Sequence, residues 1–381
     1  MRTAGGLAVV DPAAGRLVYS ARSAVTTPDT ARVFGVSGDS LTVLDGELGT
    51  QQATLPRVGD LVPTVVSTSG ARLALSQARA DASPWLPVAR LRTPIAIVDT
   101  SGSVAPHMLD LDGNFEPEAF SSDDRFLIVL QYLPAEAPEG YRVRRVELST
   151  GSVEPLVDRF KGLPLSAEET MRGTGRQQVL SPDARVLYTL YTHQPDHLHG
   201  RDLKAGLSTA RGDVHAFVHT LSLSEGWAVC VDLPLPFGLG AAEGHAIAIT
   251  PDGGRVIVVD RTSGSMAAID TASLEIRMNV PGTPDARPAR GLTSAQVSPD
   301  GQTLYVAGGS ELQAIDPKSL VVRQRWPAAA EMNGLAISAD GQRLYLGLSG
   351  RVAVLEAATA REVASVAVPE LRAVEAVQRP R

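Results

Sequence analysis

Six of the seven histidines of this chain fall between positions 193 and 245: His193, His197, His199, His215, His219 and His245. The run His193-Gln-Pro-Asp196-His197-Leu-His199, with Asp202 close behind, has the imidazole and carboxylate donors that suit Zn²⁺ or another borderline metal. Its spacing matches neither HExxH nor a paired-cysteine pattern, so no resident metal is expected. His215 and His219 differ by an even number, which places both on one face of a strand and points to packing. A second polar run, Glu168-Glu169-Thr-Met-Arg172-Gly-Thr-Gly175-Arg176, brings two guanidinium forks beside two carboxylates. That combination suits an anionic ligand, because guanidinium matches carboxylate or phosphate geometry.

Other patterns carry less. The GTG of residues 173–175 opens no helix and is no dinucleotide fingerprint. Asp110-Leu-Asp112-Gly113-Asn114 with Glu116 echoes a calcium loop but lacks the third acid and the closing glutamate. Arg211-Gly212-Asp213 arises readily by chance in a chain rich in Arg and Gly. No G-x-S-x-G elbow is present, so no catalytic nucleophile is assigned and no cofactor is expected. Cys230 is the only cysteine. It sits in WAVCVDL, an alternating strand pattern, and reads as a buried, inert thiol.

The elements that must position these residues repeat. The tetrad Ser/Thr-Pro/Ala-Asp-Gly stands before a β-branched and aromatic run at Thr250-Pro251-Asp252-Gly253, Ser298-Pro299-Asp300-Gly301 and Ser338-Ala339-Asp340-Gly341. Degenerate copies stand at Thr27-Pro28-Asp29, Ser67 to Gly70, Ser121 to Asp124 and Ser181-Pro182-Asp183. Each reads as a turn between strands, since Pro sets φ, Asp bonds its own backbone and Gly accepts positive φ. After each comes an apolar strand ending in an acid and small residues, as in LTVLDGELGT, IAIVDTSGS and LQAIDPKSL; FVHTLSLSEG keeps the spacing without the acid. Four strands per repeat of roughly 40 to 50 residues is the pattern of an all-β propeller. The expected blades are 23–56, 62–110, 117–157, 176–232, 246–280, 293–327 and 334–369. An N-terminal hairpin, 5–21, and a C-terminal strand, 371–378, would close the ring. Seven complete blades, or eight with one incomplete, follow from this count.

The repeat resembles the YVTN family of bacterial, WD40-like β-propellers, best in IAITPDGGRVIVVDRTSGSMAAIDTASLEIRMNVPG and the two units after it. The resemblance implies a propeller but no single activity, because similar propellers serve as surface proteins, electron-transfer subunits and lactonases.

Composition narrows the partners. The 381 residues are 44% hydrophobic, enough for a large core, and the net charge is −7. No basic cluster has interleaved aromatics, which argues against a nucleic-acid surface. No apolar run is long enough to span a membrane as a helix. A monomer is expected. A chain whose first hairpin reads as the second half of a blade points to a lost leader and an extracytoplasmic or surface location over a cytoplasmic one.

Short turns occupy one propeller face by topology. The long connections, 79–94, 133–142, 193–213, 158–175, 233–245 and 281–292, emerge on the other, over blades two to five. Long connections in a compact domain tend to carry function. The sequence therefore points to a non-enzymatic binding protein that takes a protein or small ligand on this face. The residues expected to touch it are Tyr141, Glu168, Glu169, Arg172, Arg176, His193, His197 and His199. The alternatives are a lactonase or other hydrolase with its site at the channel mouth, and a subunit resembling quinoprotein dehydrogenases.

Overall fold

The computed structural model describes residues 1–82, 86–159, 170–192, 214–283, 291–328 and 330–375, and the backbone alone for Thr174 and Arg176. The described chain is β-structure apart from one 3-10 turn, Ala242–Gly244. Sheet 1 begins with β1 (Arg2–Thr3), β2 (Gly6–Asp11), β3 (Arg16–Thr26), β4 (Arg32–Ser37), β5 (Ser40–Asp45) and β6 (Gln51–Pro56). Sheet 2 holds β7 (Val62–Val66), β8 (Arg72–Ser76), β9 (Arg92–Asp99) and β10 (His107–Asp112). Sheet 3 holds β11 (Asn114–Phe120), β12 (Phe126–Leu133), β13 (Gly140–Glu147) and β14 (Val153–Pro155). In sheet 4, a short β15 (Val157–Asp158) lies parallel to the outermost of β16 (Thr174–Leu180), β17 (Val186–Thr192), β18 (Ala216–Ser222) and β19 (Trp227–Asp232).

Sheets 5 to 7 repeat the antiparallel four-strand order. They are β20 (His245–Ile249), β21 (Arg255–Asp260), β22 (Ser265–Asp270), β23 (Glu275–Val280); β24 (Ser294–Val297), β25 (Leu304–Gly308), β26 (Glu311–Ile315), β27 (Val322–Pro327); and β28 (Leu335–Ile337), β29 (Arg343–Leu348), β30 (Arg351–Glu356), β31 (Glu362–Ala367). The last strand, β32 (Leu371–Ala373), returns to sheet 1 and pairs antiparallel with β1, Ala373 opposite Arg2. Sheet 1 therefore runs β32-β1-β2-β3-β4-β5-β6. Its β3 shifts register between Arg22 and Val25, pairing with β2 before the shift and with β4 across and after it. The seven strands are thus two four-stranded sets that share β3.

A lone four-stranded sheet cannot bury both faces, and the core accordingly lies between neighbours. Phe34 and Leu41 meet Leu73 and Leu75 between sheets 1 and 2, and Ile95 and Leu111 meet Leu127 and Val129 between sheets 2 and 3. Tyr132 and Tyr141 meet Tyr191 and Phe217 between sheets 3 and 4. Further clusters follow between sheets 4 and 5, 5 and 6, and 6 and 7. Val352 and Val366 of sheet 7 pack on Leu371 and Val374, and Leu7 packs on Ala24 and Val33 within sheet 1.

The tetrads form the turns from each innermost strand to the next, by one recurring bond set. The first residue's hydroxyl donates to the Asp Oδ1 at 2.5 to 2.6 Å in Thr27–Asp29, Ser121–Asp123, Ser181–Asp183, Thr250–Asp252, Ser298–Asp300 and Ser338–Asp340. The same hydroxyl accepts the amide five residues on, as from Thr303 at 3.0 Å. The Asp accepts the amide two residues on, as from Gln302 at 3.0 Å. The fourth residue is left-handed in every copy, whether Gly301 (φ 69°) or Ala184 (φ 59°).

Candidate functional site

Antiparallel alternation puts the connections that follow the second and fourth strands of each sheet at the end opposite the tetrads. Their described parts are tied together. The Arg90 amide donates to the Ala135 carbonyl at 3.1 Å, joining the β8–β9 connection to the β12–β13 connection. Asn114 Nδ2 donates to the Val88 carbonyl at 2.9 Å. Met171 exchanges both backbone bonds with Tyr141, at 2.8 and 2.7 Å, so the segment entering β16 lies along the start of β13. Gly140 makes this approach possible, since a Cβ there would stand 2.9 Å from the Met171 carbonyl. Further round, the Thr293 amide donates to the Glu243 carbonyl at 2.9 Å.

Beneath this rim lies an ionic and aromatic network. Arg79 pairs with Asp81 and Glu116 and donates to Tyr132 Oη at 3.0 Å, while Tyr132 donates to Glu116 Oε2 at 2.7 Å. Burial works against the Arg79 charge, but Glu116, Tyr132 and Asp81 together hold its pKa above the ordinary arginine value. Behind Tyr132 the rings of Tyr141, Tyr191 and Phe217 follow at centroid spacings of 5.6, 5.7 and 5.3 Å. His219 meets Tyr191 edge-on, and burial pushes its pKa down to about 4, so it is a neutral packing group at physiological pH.

Tyr141 is 2% exposed and donates to the Gly173 carbonyl at 3.2 Å; it holds the rim from below. Arg172 is exposed, beside that docking point. Glu168, Glu169, His193, His197 and His199 lie outside the described residues, as do Asp202 and the tripeptide 211–213, and Arg176 is placed by its backbone alone. His245 is fully buried: the Gly238 amide donates to Nε2 at 2.9 Å, leaving the Nδ1 proton for the Ala241 carbonyl at 3.1 Å. It braces the 233–244 connection. Asp110 and Asp112 pair with Arg92, and Cys230 is half-buried against the Tyr141 cluster. Among the described residues no group of three or more His, Cys, Asp or Glu could hold a metal. Among them, too, no helix is long and apolar enough to cross a membrane.

Three of the innermost strands are bulged. The β7–β8, β11–β12 and β16–β17 ladders shift register at Thr64, Glu118 and Arg176, whereas those of β20, β24 and β28 run without a shift. Bulges re-aim side chains and gather near functional sites. Pro63, Pro117 and Gly175 stand immediately before the three bulged residues. Pro or Gly inside a strand is the sequence signal for a bulge. Glu118 Oε1 accepts a 2.8 Å bond from Gln178 Nε2 of the adjacent innermost strand. Burial above all, with the Glu116 carboxylate beside it, raises the Glu118 pKa to about 7 against the pull of Gln178.

The chain matches no protein-family model and no curated protein. Among solved structures, apo AztD from Citrobacter koseri is similar over 95% of this chain and 91% of that one, at 13% identity and a TM-score of 0.53. The Myceliophteria thermophila Cps50 (Swd1) β-propeller domain is similar over 93% and 89%, at 11% identity and a TM-score of 0.41. The dihydro-heme d1 dehydrogenase NirN is similar over 91% and 75%, at 14% identity and a TM-score of 0.41. With its all-β, four-stranded antiparallel sheets, this chain has the fold of β-propeller proteins, a fold that hosts interaction modules and enzymes alike.

Proposed function

We propose that this chain is a closed ring of eight four-stranded blades, the eighth built from β32, β1, β2 and the first half of β3, and that it is a non-enzymatic binding protein. The cluster sequence from sheet 1 around to sheet 7, back to β32 and on to Leu7, Ala24 and Val33 supports the ring. The ligand or partner is held on the long-connection face over sheets 2 to 5. The observation that carries this reading is the contrast between the two faces. On the turn face the tetrad hydroxyls and aspartates are consumed by their own turns. On the other face, connections from neighbouring sheets are bonded into a rim, from Val88 and Arg90 through Ala135 to Met171. The former arrangement supplies stability; the latter supplies a preorganised surface.

The test compares Arg172→Ala and His197→Ala with Asp252→Ala and Asp300→Ala in affinity capture and in thermal melts. The rim variants should lose partner or ligand with little change in melting, and the turn variants should lose stability while retaining binding. Folded turn variants that lose binding while rim variants keep it would place the site on the opposite face.

A further inference from the structure

Glu118 presents a second, separate opportunity for binding, independent of the rim. It is the extra residue of the β11 bulge, opposite no residue of β12. Its side chain is half-buried; Oε1 holds the Gln178 amide. Oε2 is buried and accepts no hydrogen bond. Glu116, the neighbouring acid on β11, is already engaged by Arg79 and Tyr132. Among the described residues Glu118 is also felt by Tyr141 of β13 and Tyr191 of β17, whose pKa values burial raises first and the Glu118 charge raises further. No ion pair to Glu118 forms among the described residues. A desolvated carboxylate without a counter-charge is costly, and a bound cation or donor removes that cost.

Gln178 completes the arrangement. Its Nε2 is spent on Glu118, which leaves its carbonyl oxygen as an acceptor beside the carboxylate. Two acceptors on adjacent innermost strands, one of them anionic, match a group with several N–H donors and a positive charge. We propose that Glu118 and Gln178 form a subsite for the ammonium group of a small primary amine, held between the innermost strands of sheets 3 and 4. With fewer than three ligating groups gathered there among the described residues, an ammonium fits better than a divalent metal.

Binding then requires the ionised carboxylate. With the Glu118 pKa near 7, affinity for an amine that stays charged throughout should fall roughly twenty-five-fold from pH 7.5 to pH 5.5, following the ionised fraction. The probe is ethylammonium, followed by calorimetry on the full chain, with infrared difference spectra reporting the protonated carboxyl. Wild type should bind with that pH dependence and show a carboxyl band titrating near neutrality. Glu118→Gln should abolish the band and weaken binding at least tenfold. If Glu118→Gln does not fold, Gln178→Leu, which keeps the acid, should weaken binding while preserving the band. Absence of ethylammonium binding, binding independent of pH, or tighter binding of Ca²⁺ or Mg²⁺ at the same residues would each overturn the proposal. Rim substitutions such as Arg172→Ala should leave this binding intact, which separates the two sites.

Discussion

The seven tetrad turns set up a graded stability experiment within one molecule. Their fourth residues are all left-handed: Thr30 (φ 57°), Gly70 (70°), Asp124 (55°), Ala184 (59°), Gly253 (72°), Gly301 (69°) and Gly341 (71°). A residue with a Cβ is penalised there by roughly 1–2 kcal/mol, while glycine's greater freedom in the unfolded chain returns roughly 0.5–1 kcal/mol. Ala184→Gly should therefore stabilise by about 0.5–1 kcal/mol, and Gly301→Ala should destabilise by about the same amount. Gly253→Ala should cost more. A Cβ at Gly253 stands 3.2 Å from Pro182 Cδ in the preceding turn, whereas at Gly301 the nearest atom, Pro251 Cδ, is 3.9 Å away. Asp124→Gly should be close to neutral, because relief of its backbone is offset by loss of the 2.7 Å bond from Ser69. The unfolding entropy of 381 residues makes 1 kcal/mol worth only about 1 °C of melting temperature. Urea midpoints at constant slope are therefore the better assay. If Ala184→Gly lowers the midpoint, or Gly253→Ala is milder than Gly301→Ala, the left-handed geometry does not govern these turns.

Two further outcomes follow. Asp29, Asp123, Asp183, Asp252, Asp300 and Asp340 all have pKa values lowered first by the Ser or Thr hydroxyl of their own turn. The folded pKa lies below the unfolded one, so this stability is complete above the ordinary aspartate range near pH 4 and is lost as pH falls below it. Urea midpoints from pH 5 to pH 2 should fall, and should flatten when several of these residues become Asn; a flat wild-type profile refutes the linkage. Arg79→Ala should cost about 1–3 kcal/mol by stranding Glu116 and Tyr132, and a cycle with Glu116→Gln should show coupling of at least 0.5 kcal/mol. Additive effects would mean the network contributes nothing as a unit.

The sheets were legible because their punctuation is local: hydroxyl, Pro, Asp and Gly within four positions suffice to build a turn, whatever lies elsewhere. The site was legible only in outline. Glu118 and Gln178 are separated by 60 positions and meet through the packing of two sheets, which no local pattern encodes. Pro63 and Pro117, inside strand runs, did mark two of the bulges and can be read without a structure. Tyr141 falls within the long connection 133–142 of the sequence reading, where an aromatic is expected to meet a ligand, yet β13 already begins at Gly140 and the Tyr141 ring completes the core between sheets 3 and 4. His245 drew attention by its type, but its nitrogens are occupied by Gly238 and Ala241, a loop closure visible only in three dimensions.

The pairing of β32 with β1 also dictates an order of assembly. Residues 2 and 373 must meet before sheet 1 has its full complement of strands. During synthesis β2 and β3 can pair as soon as they emerge, but β1 keeps an open edge until residues 371–373 have been made. Met1 and Val10 likewise lack their packing against Leu371 and Val374 until then. Joining such distant segments carries the largest loop-closure entropy of any strand pairing among the described residues, so this pairing is favoured only once the sheets between them have assembled. A nascent or C-terminally clipped chain exposes the strand edge and apolar patch that chaperones and proteases recognise.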